Sequence, residues 1–136
     1  MTIVADTSFI LAVVRGRDEH HDLATAWMRE IDEELVTSPL TLAELDHMVP
    51  RLSGERAQHA LWDDFDRGVY GVRWWADALS ETLAIARRRP FLGLADASLV
   101  ALSGRLRTNR IATFDQHFRS ILTPDGEAFV VLPADR

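Results

Sequence analysis

The chain contains no cysteine. Disulfides, cysteine-ligated zinc, iron–sulfur clusters and thiol nucleophiles are therefore excluded. Lysine is absent too, because all 15 basic residues are arginine. That removes Schiff-base chemistry and the phosphate-gripping lysine of P-loop enzymes. No stretch approaches the roughly 20 consecutive apolar residues that span a bilayer. The first 14 residues are apolar, but they carry no basic leader and Asp6 interrupts them. Neither a signal peptide nor an anchor is expected, and a cytoplasmic protein is the default. Positive charge is also short: 21 acids against 15 arginines leave a formal net charge of −6. Bulk attraction to nucleic acid is therefore not expected, and binding a polyanion would need local arginines or bound cations.

What is present is ordinary globular composition, 47% hydrophobic and 26% charged over 136 residues. One domain spanning 1–136 is expected, since domains run about 100–200 residues. Thr2 to Ala5 is short, apolar and partly β-branched, the pattern of a buried strand. Asp6-Thr7-Ser8 then supplies cap chemistry for a helix through Val14. Glu19 to Glu33 has Leu23, Trp27 and Ile31 at helical spacing. Leu35 to Thr37 reads as a strand and Ser38-Pro39 as a helix start. Leu40 to Leu52 follows as a helix, with Pro50 expected to kink or end it. Gly54 separates a further helix, Glu55 to Arg67. Val69 to Trp74 reads as a strand that sends Trp74 and Trp75 to opposite faces. Ala76 to Arg89 is a helix with Leu79, Leu83 and Ala86 on one stripe, and Trp62 is expected in a core. Helix Ala95 to Leu106, strand Arg110 to Thr113, a short helix His117 to Leu122 and strand Phe129 to Leu132 complete the chain. This alternation indicates an α/β fold with a short, mainly parallel β-sheet flanked by helices. Sites in such folds lie beyond the carboxyl ends of the strands.

Four acids have unusual surroundings. Asp6 and Asp115 each follow an apolar strand, where each could cap a helix or face a site. Neighbouring parallel strands would bring the two to one edge. Asp96 and Glu44 sit among small or apolar helix residues. Acids in such settings are rarely buried unless paired or metal-bound. Several acids at one sheet edge need compensating positive charge. Oxygen ligands without cysteine suit Mg²⁺, with Mn²⁺ as a second choice, over zinc. Two such ions about 4 Å apart can promote phosphodiester cleavage. Arg105, Arg107, Arg110 and Arg119 flank the fourth acid and are the candidate local arginines that a nucleic acid would need. Arg87 to Arg89 suits the end of a helix. His20 and His21 suit a helix start, and His47, His59 and His117 are scattered.

The acidic motifs occur in an order that resembles the PIN-domain ribonucleases. They are Val4-Ala5-Asp6-Thr7-Ser8, Thr41-Leu42-Ala43-Glu44-Leu45, Asp96-Ala97-Ser98 and Ala112-Thr113-Phe114-Asp115, with acid spacings of 38, 52 and 19. The segment Asp18 to Ala24 is similar to the start of that family's second helix. The chain length resembles the stand-alone VapC toxins of toxin–antitoxin pairs. The resemblance covers nearly the whole chain and implies a three-layer PIN-like fold. It further implies Mg²⁺-dependent RNA cleavage, a homodimer and a cognate VapB-type antitoxin. By the same resemblance, Asp6 and Asp96 are the principal metal ligands, and Glu44 and Asp115 complete a catalytic cluster. Thr7, Ser8 and Thr113 would then orient a carboxylate or water. The alternatives are a PIN-type nuclease of RNA processing without an antitoxin, and a non-catalytic metal- or partner-binding module. Receiver-type phospho-switches and haloacid-dehalogenase-like phosphatases are disfavoured by the missing lysine. Ser8, standing where the latter carry a second aspartate, counts further against them.

Overall fold

The computed structural model describes all residues, 1–136. Five strands form one fully parallel sheet: β1 (Thr2–Ala5), β2 (Glu34–Thr37), β3 (Gly71–Val72), β4 (Arg110–Ala112) and β5 (Val130–Leu132). Their spatial order is β3-β2-β1-β4-β5. The helices are α1 (Thr7–Val14), α2 (His21–Glu30), α3 (Pro39–Asp66), α4 (Ala78–Arg88) and α5 (Gly93–Leu106). A 3-10 turn covers Gln116–Ser120.

Side chains alternate across the strands, so the sheet feeds two cores. Ile3, Ala5, Leu35, Ala112 and Leu132 pack with Phe9, Trp27, Leu45 and Leu61 from α1, α2 and α3. Val4, Val36, Ile111 and Val131 point the other way, to Ile85 of α4 and to Ala97, Val100 and Ala101 of α5. The expected α/β sandwich of a parallel sheet between helices is therefore what forms. Each fully buried Leu, Ile or Phe in these cores contributes about 1.5–3 kcal/mol.

Several local expectations are corrected. The helix containing Pro50 continues through it and breaks at Gly54, whose φ of 86° and ψ of 177° are non-helical. Pro50 cannot donate to the Asp46 carbonyl. Gln58 and Trp62 of the second arm instead reach back to Asp46, Gln58 Nε2 at 3.1 Å and Trp62 Nε1 at 2.6 Å from Oδ1. That bond keeps Trp62 at the surface, 47% exposed, where a core position was expected. On α2, Trp27 and Ala24 are buried while Leu23 is exposed. On α4 the buried stripe is Ala78, Thr82 and Ile85, one position round from Leu79. Strand β3 is only two residues long, so Trp74 and Trp75 lie outside it. Their rings sit together, 5.9 Å apart, and not on opposite faces.

The topology fixes the site. β1 lies between β2 and β4, so chain connections leave it in both directions. The carboxyl ends of β1 and β4 thus border a switch point, where α/β sheets open a crevice. No helix is long and apolar enough to cross a membrane.

Candidate active site

Asp6 is the first residue after β1. Its backbone N–H donates to the Ala112 carbonyl at 3.0 Å, continuing the ladder with β4. The side chain is 2% exposed and makes no cap bond to α1, which removes the simple capping explanation for it. Its Oδ2 instead accepts from Thr113 Oγ1 at 2.6 Å and from Ser8 Oγ at 2.8 Å. The two hydroxyls lie 3.1 Å apart, and each also accepts a backbone N–H. Phe114 donates to Ser8, and Asp115 donates to Thr113, both at 2.9 Å. The β4 exit is thereby tied to Asp6 directly through Ala112 and Thr113, and indirectly through Ser8. Thr7 Oγ1 is buried beside it without a hydrogen-bond partner.

The other acids arrive on helix starts. Ser38 caps α3 by accepting from Thr41 N–H at 3.2 Å, which sets the register of Glu44 in the second turn. Ser38 Oγ also meets Ser98 Oγ of α5 at 2.6 Å, joining the two helix starts. Asp96 occupies the first turn of α5, and Asp115 follows β4. Asp115 does cap: its Oδ1 accepts from His117 N–H at 2.9 Å. Asp6, Glu44, Asp96 and Asp115 line one pocket of about 250 Å³, together with Thr7, Ser8, Leu11, Met48 and residues 92–95.

His117 joins the cluster. Its Nδ1 lies 3.3 Å from Asp115 Oδ1 and 3.9 Å from Asp96 Oδ2. Ligand atoms of Asp96, Asp115 and His117 all fall within 4.8 Å of one another. Sequence reasoning left this histidine among the scattered ones. The available signal was its place two residues after Asp115, where a tight turn doubles back.

Burial raises the Asp6 pKa. The bonds from Thr113, Ser8 and the Thr7 backbone oppose that rise, and the Asp115 charge adds to it. Asp96 is pushed up to about 8, first by burial and then by the charges of Asp6 and Asp115, its contact with the Asp6 carboxyl and the charge of Glu44. The helix N-termini of α1 and α5 offer partial positive charge here, but a macrodipole is worth only about 0.3–1 kcal/mol near an exposed end. Ionising the whole cluster at neutral pH needs a stronger cation. The donor set fits one: four carboxylates, an unpartnered buried hydroxyl on Thr7 and one imidazole.

The candidate arginines are distributed differently. Arg110 opens β4, at the strand end away from the acids, and its Nη2 lies 3.1 Å from Glu33. Arg119 forms a two-point pair with Asp135 at 3.1 and 2.8 Å. Arg105 and Arg107 line a second cavity between α4 and α5.

The parallel sheet with four carboxylates gathered at its switch point defines an α/β fold with an acidic site, and sequence comparison supplies the family. Residues 3–122 match the model of the PIN domain, and the chain belongs to that family. Ribonuclease VapC26 of Mycobacterium tuberculosis is 30% identical over 135 residues, covering 96% of this chain and all of that protein. Ribonuclease VapC29 of the same species is 29% identical, covering 98% of each. Within the PIN domain family these relatives put the chain among the VapC-type members. The crystal structure of M. tuberculosis VapC20, a sarcin–ricin loop cleaving toxin, superposes with a TM-score of 0.80 at 24% identity over 87% of this chain and 93% of that one. VapBC2 of Rickettsia felis, bound to promoter DNA, gives 0.66 at 12% identity over 96% and 97%. At these identities the two structures establish the shared fold.

Proposed function

We propose that this VapC-type ribonuclease is a metal-dependent endoribonuclease and the toxin of a toxin–antitoxin pair. The whole chain acts as one PIN domain in the cytoplasm. The observation that carries this reading is the meeting of Asp6, Glu44, Asp96 and Asp115 in one pocket, with Asp96 unable to ionise readily at neutral pH without a cation. Asp6 and Asp96 would hold Mg²⁺ or Mn²⁺, with Glu44, Asp115 and His117 completing the site directly or through water. A divalent ion bound there supplies charge neutralisation, Lewis acidity toward a phosphodiester and an acidified water.

The chain's own groups do the rest. Thr113 and Ser8 fix Asp6 in one orientation and favour its ionised form. Glu44 or Asp115 accepts the proton of the attacking water as its oxygen bonds to phosphorus. The bond from phosphorus to the opposite sugar oxygen then breaks in line, and that oxygen takes up a proton. Leu11, Met48 and Leu92 form apolar walls that limit bulk water.

For partners, we assign an RNA substrate, a VapB-type antitoxin that covers the acidic pocket, and a second copy of the chain as a homodimer. Solved VapBC-type complexes with the same fold support the antitoxin assignment. The decisive experiment compares Asp6→Asn with the parent on RNA at equal Mg²⁺. Loss of cleavage by at least a hundredfold is expected, and cutting at the parent rate would overturn the reading. Light scattering of the chain alone and with the product of a neighbouring short reading frame tests the assembly.

A further inference from the structure

A second cavity lies beside the acidic pocket. It occupies about 670 Å³ between α4, α5 and the 121–124 segment. Four arginines line it: Arg88 and Arg89 from the end of α4, and Arg105 and Arg107 from the end of α5. None of the four has a carboxylate within 4.0 Å, whereas Arg67, Arg73, Arg110, Arg119 and Arg136 are all paired. The single lining acid, Glu81, is engaged by Trp75 Nε1 at 3.1 Å. Arg105 is held over the Trp75 ring, 5.9 Å from its centroid. Ten of the fifteen arginines lack such a partner; three of them, Arg15, Arg17 and Arg56, line a cavity between the end of α1 and α3, but the four gathered here lie beside the acidic pocket. Unpaired guanidinium groups of this kind suit phosphate, which they bind in planar, two-point fashion.

Leu92 lines both this cavity and the acidic pocket, so the two are adjacent and share it as a wall. Next to it Phe91 is 54% exposed, with its ring edge-to-face against His117 at 5.8 Å. An exposed aromatic beside a cationic groove is the arrangement that holds single-stranded nucleic acid, bases stacking on the ring while phosphates track the charge.

We infer that single-stranded RNA flanking the cut phosphodiester runs from the acidic pocket past Leu92 into the α4–α5 groove. Arg88, Arg89, Arg105 and Arg107 hold its phosphates, and Phe91 supports a base at the passage. The inference rests on the nuclease reading above. It differs from that reading in locating substrate affinity outside the acidic pocket. The charge deficit of the chain is met by this groove, not by its overall field.

The test uses the full-length protein and a fluorescein-labelled, randomised 12-nucleotide single-stranded RNA. Binding is read by anisotropy between 50 and 200 mM salt with Ca²⁺ present, and cleavage of the same RNA and of a dinucleotide is read with Mg²⁺. In the double variant Arg88→Ser/Arg105→Ser, KM for the 12-mer should rise about tenfold while kcat stays within twofold, with each phosphate contact treated as an independent charge-assisted bond. The slope of log affinity against log salt should flatten by about 1.4, roughly 0.7 per lost phosphate contact on a single strand. Dinucleotide cleavage should be unchanged, and Arg88→Lys/Arg105→Lys should recover the salt slope. The charge-matched control Arg29→Ser/Arg51→Ser, at exposed positions outside the groove, should behave as the parent. Equal KM and equal slope in parent and groove variant overturn the inference, even where the parent cuts RNA. Groove-dependent binding without any cleavage supports the inference and overturns the nuclease reading. Displacement of the 12-mer by oligoglutamate at equal charge concentration would assign the groove to an acidic peptide and overturn the RNA track.

Discussion

Thr113 Oγ1 donates a 2.6 Å hydrogen bond to Asp6 Oδ2 across the ends of two adjacent parallel strands, although 107 residues separate them. The same hydroxyl accepts the Asp115 N–H, so one threonine orients Asp6 and shapes the loop that carries Asp115.

Replacing Thr113 by valine keeps the volume and removes the hydroxyl. Asp6 then loses a donor that favours its charged form, and its already raised pKa climbs further. Cleavage at saturating RNA should fall by about 10–100-fold, the scale on which partners of metal ligands act. Thr113→Ser restores the hydroxyl and should stay near the parent rate. Equal rates for the valine and serine variants would remove Thr113 from the positioning role.

Asp96 makes the metal-free fold pH-dependent. Its carboxyl has a reference value of 3.8 and sits at about 8 in the folded chain. The folded state therefore binds more protons over that window. Stability in EDTA should be fullest below pH 4 and decline as pH rises toward 8. Asp96→Asn removes the penalty, so at pH 8 the metal-free variant should melt several degrees above the parent, at about 2–5 °C per kcal/mol for a chain this size. At pH 4 the two should melt together. Mg²⁺ should raise the parent's Tm at pH 8 and move the variant little. Calorimetry showing the metal-free variant no more stable at pH 8 would contradict this account.

Gly54 carries the break in α3 with φ 86° and ψ 177°, a region that other residues enter at a cost of about 1–3 kcal/mol. No atom lies within 4 Å of where its Cβ would be, so backbone strain alone decides the outcome. Gly54→Ala should lower Tm by about 2–15 °C. Cleavage at 25 °C should be retained, because Glu44 lies in the preceding arm. An unchanged Tm would show that the two arms can realign at no cost.

Much of this architecture was legible from patterns that local physics enforces. The unbroken apolar run of Thr2 to Ala5 had to be a strand buried on both faces, and it is β1 with those ends. The acids at strand exits could be seen to converge once the sheet was taken as parallel, and Asp6 and Asp115 do share a pocket with Glu44 and Asp96. What sequence hid depends on long-range contacts. Trp62 looked like a core residue because its surface position follows from a bond to Asp46, 16 residues away. The α4 stripe was misplaced by one position because Leu79 is more apolar than Ala78 or Thr82. Small residues nevertheless form the buried side. His117 carried no periodic signal, since a 3-10 turn brings it to Asp96. The α4–α5 groove was invisible as a unit, because its arginines come from two helix ends separated by 16 residues.

The charge balance yields the last prediction. Four of the charges behind the formal −6 converge on one pocket, which lies directly beside the four free arginines of the α4–α5 groove. Without divalent cations, a phosphate at Leu92 meets repulsion on one side and attraction on the other. Two bound divalent ions would turn the acidic side attractive and reduce the net charge to −2. Binding of the 12-nucleotide RNA should therefore weaken by about tenfold or more in EDTA, since a factor of ten is only about 1.4 kcal/mol of the electrostatic change at this range. At pH 9, above the Asp96 value of about 8, a double variant, Asp6→Asn/Asp96→Asn, removes repelling charge from the metal-free pocket. It should bind RNA in EDTA more tightly than the parent does in EDTA, and its affinity should respond weakly to added Mg²⁺. Anisotropy measures both, and affinity in the parent unchanged by chelation would mean that the carboxylates and the RNA do not meet.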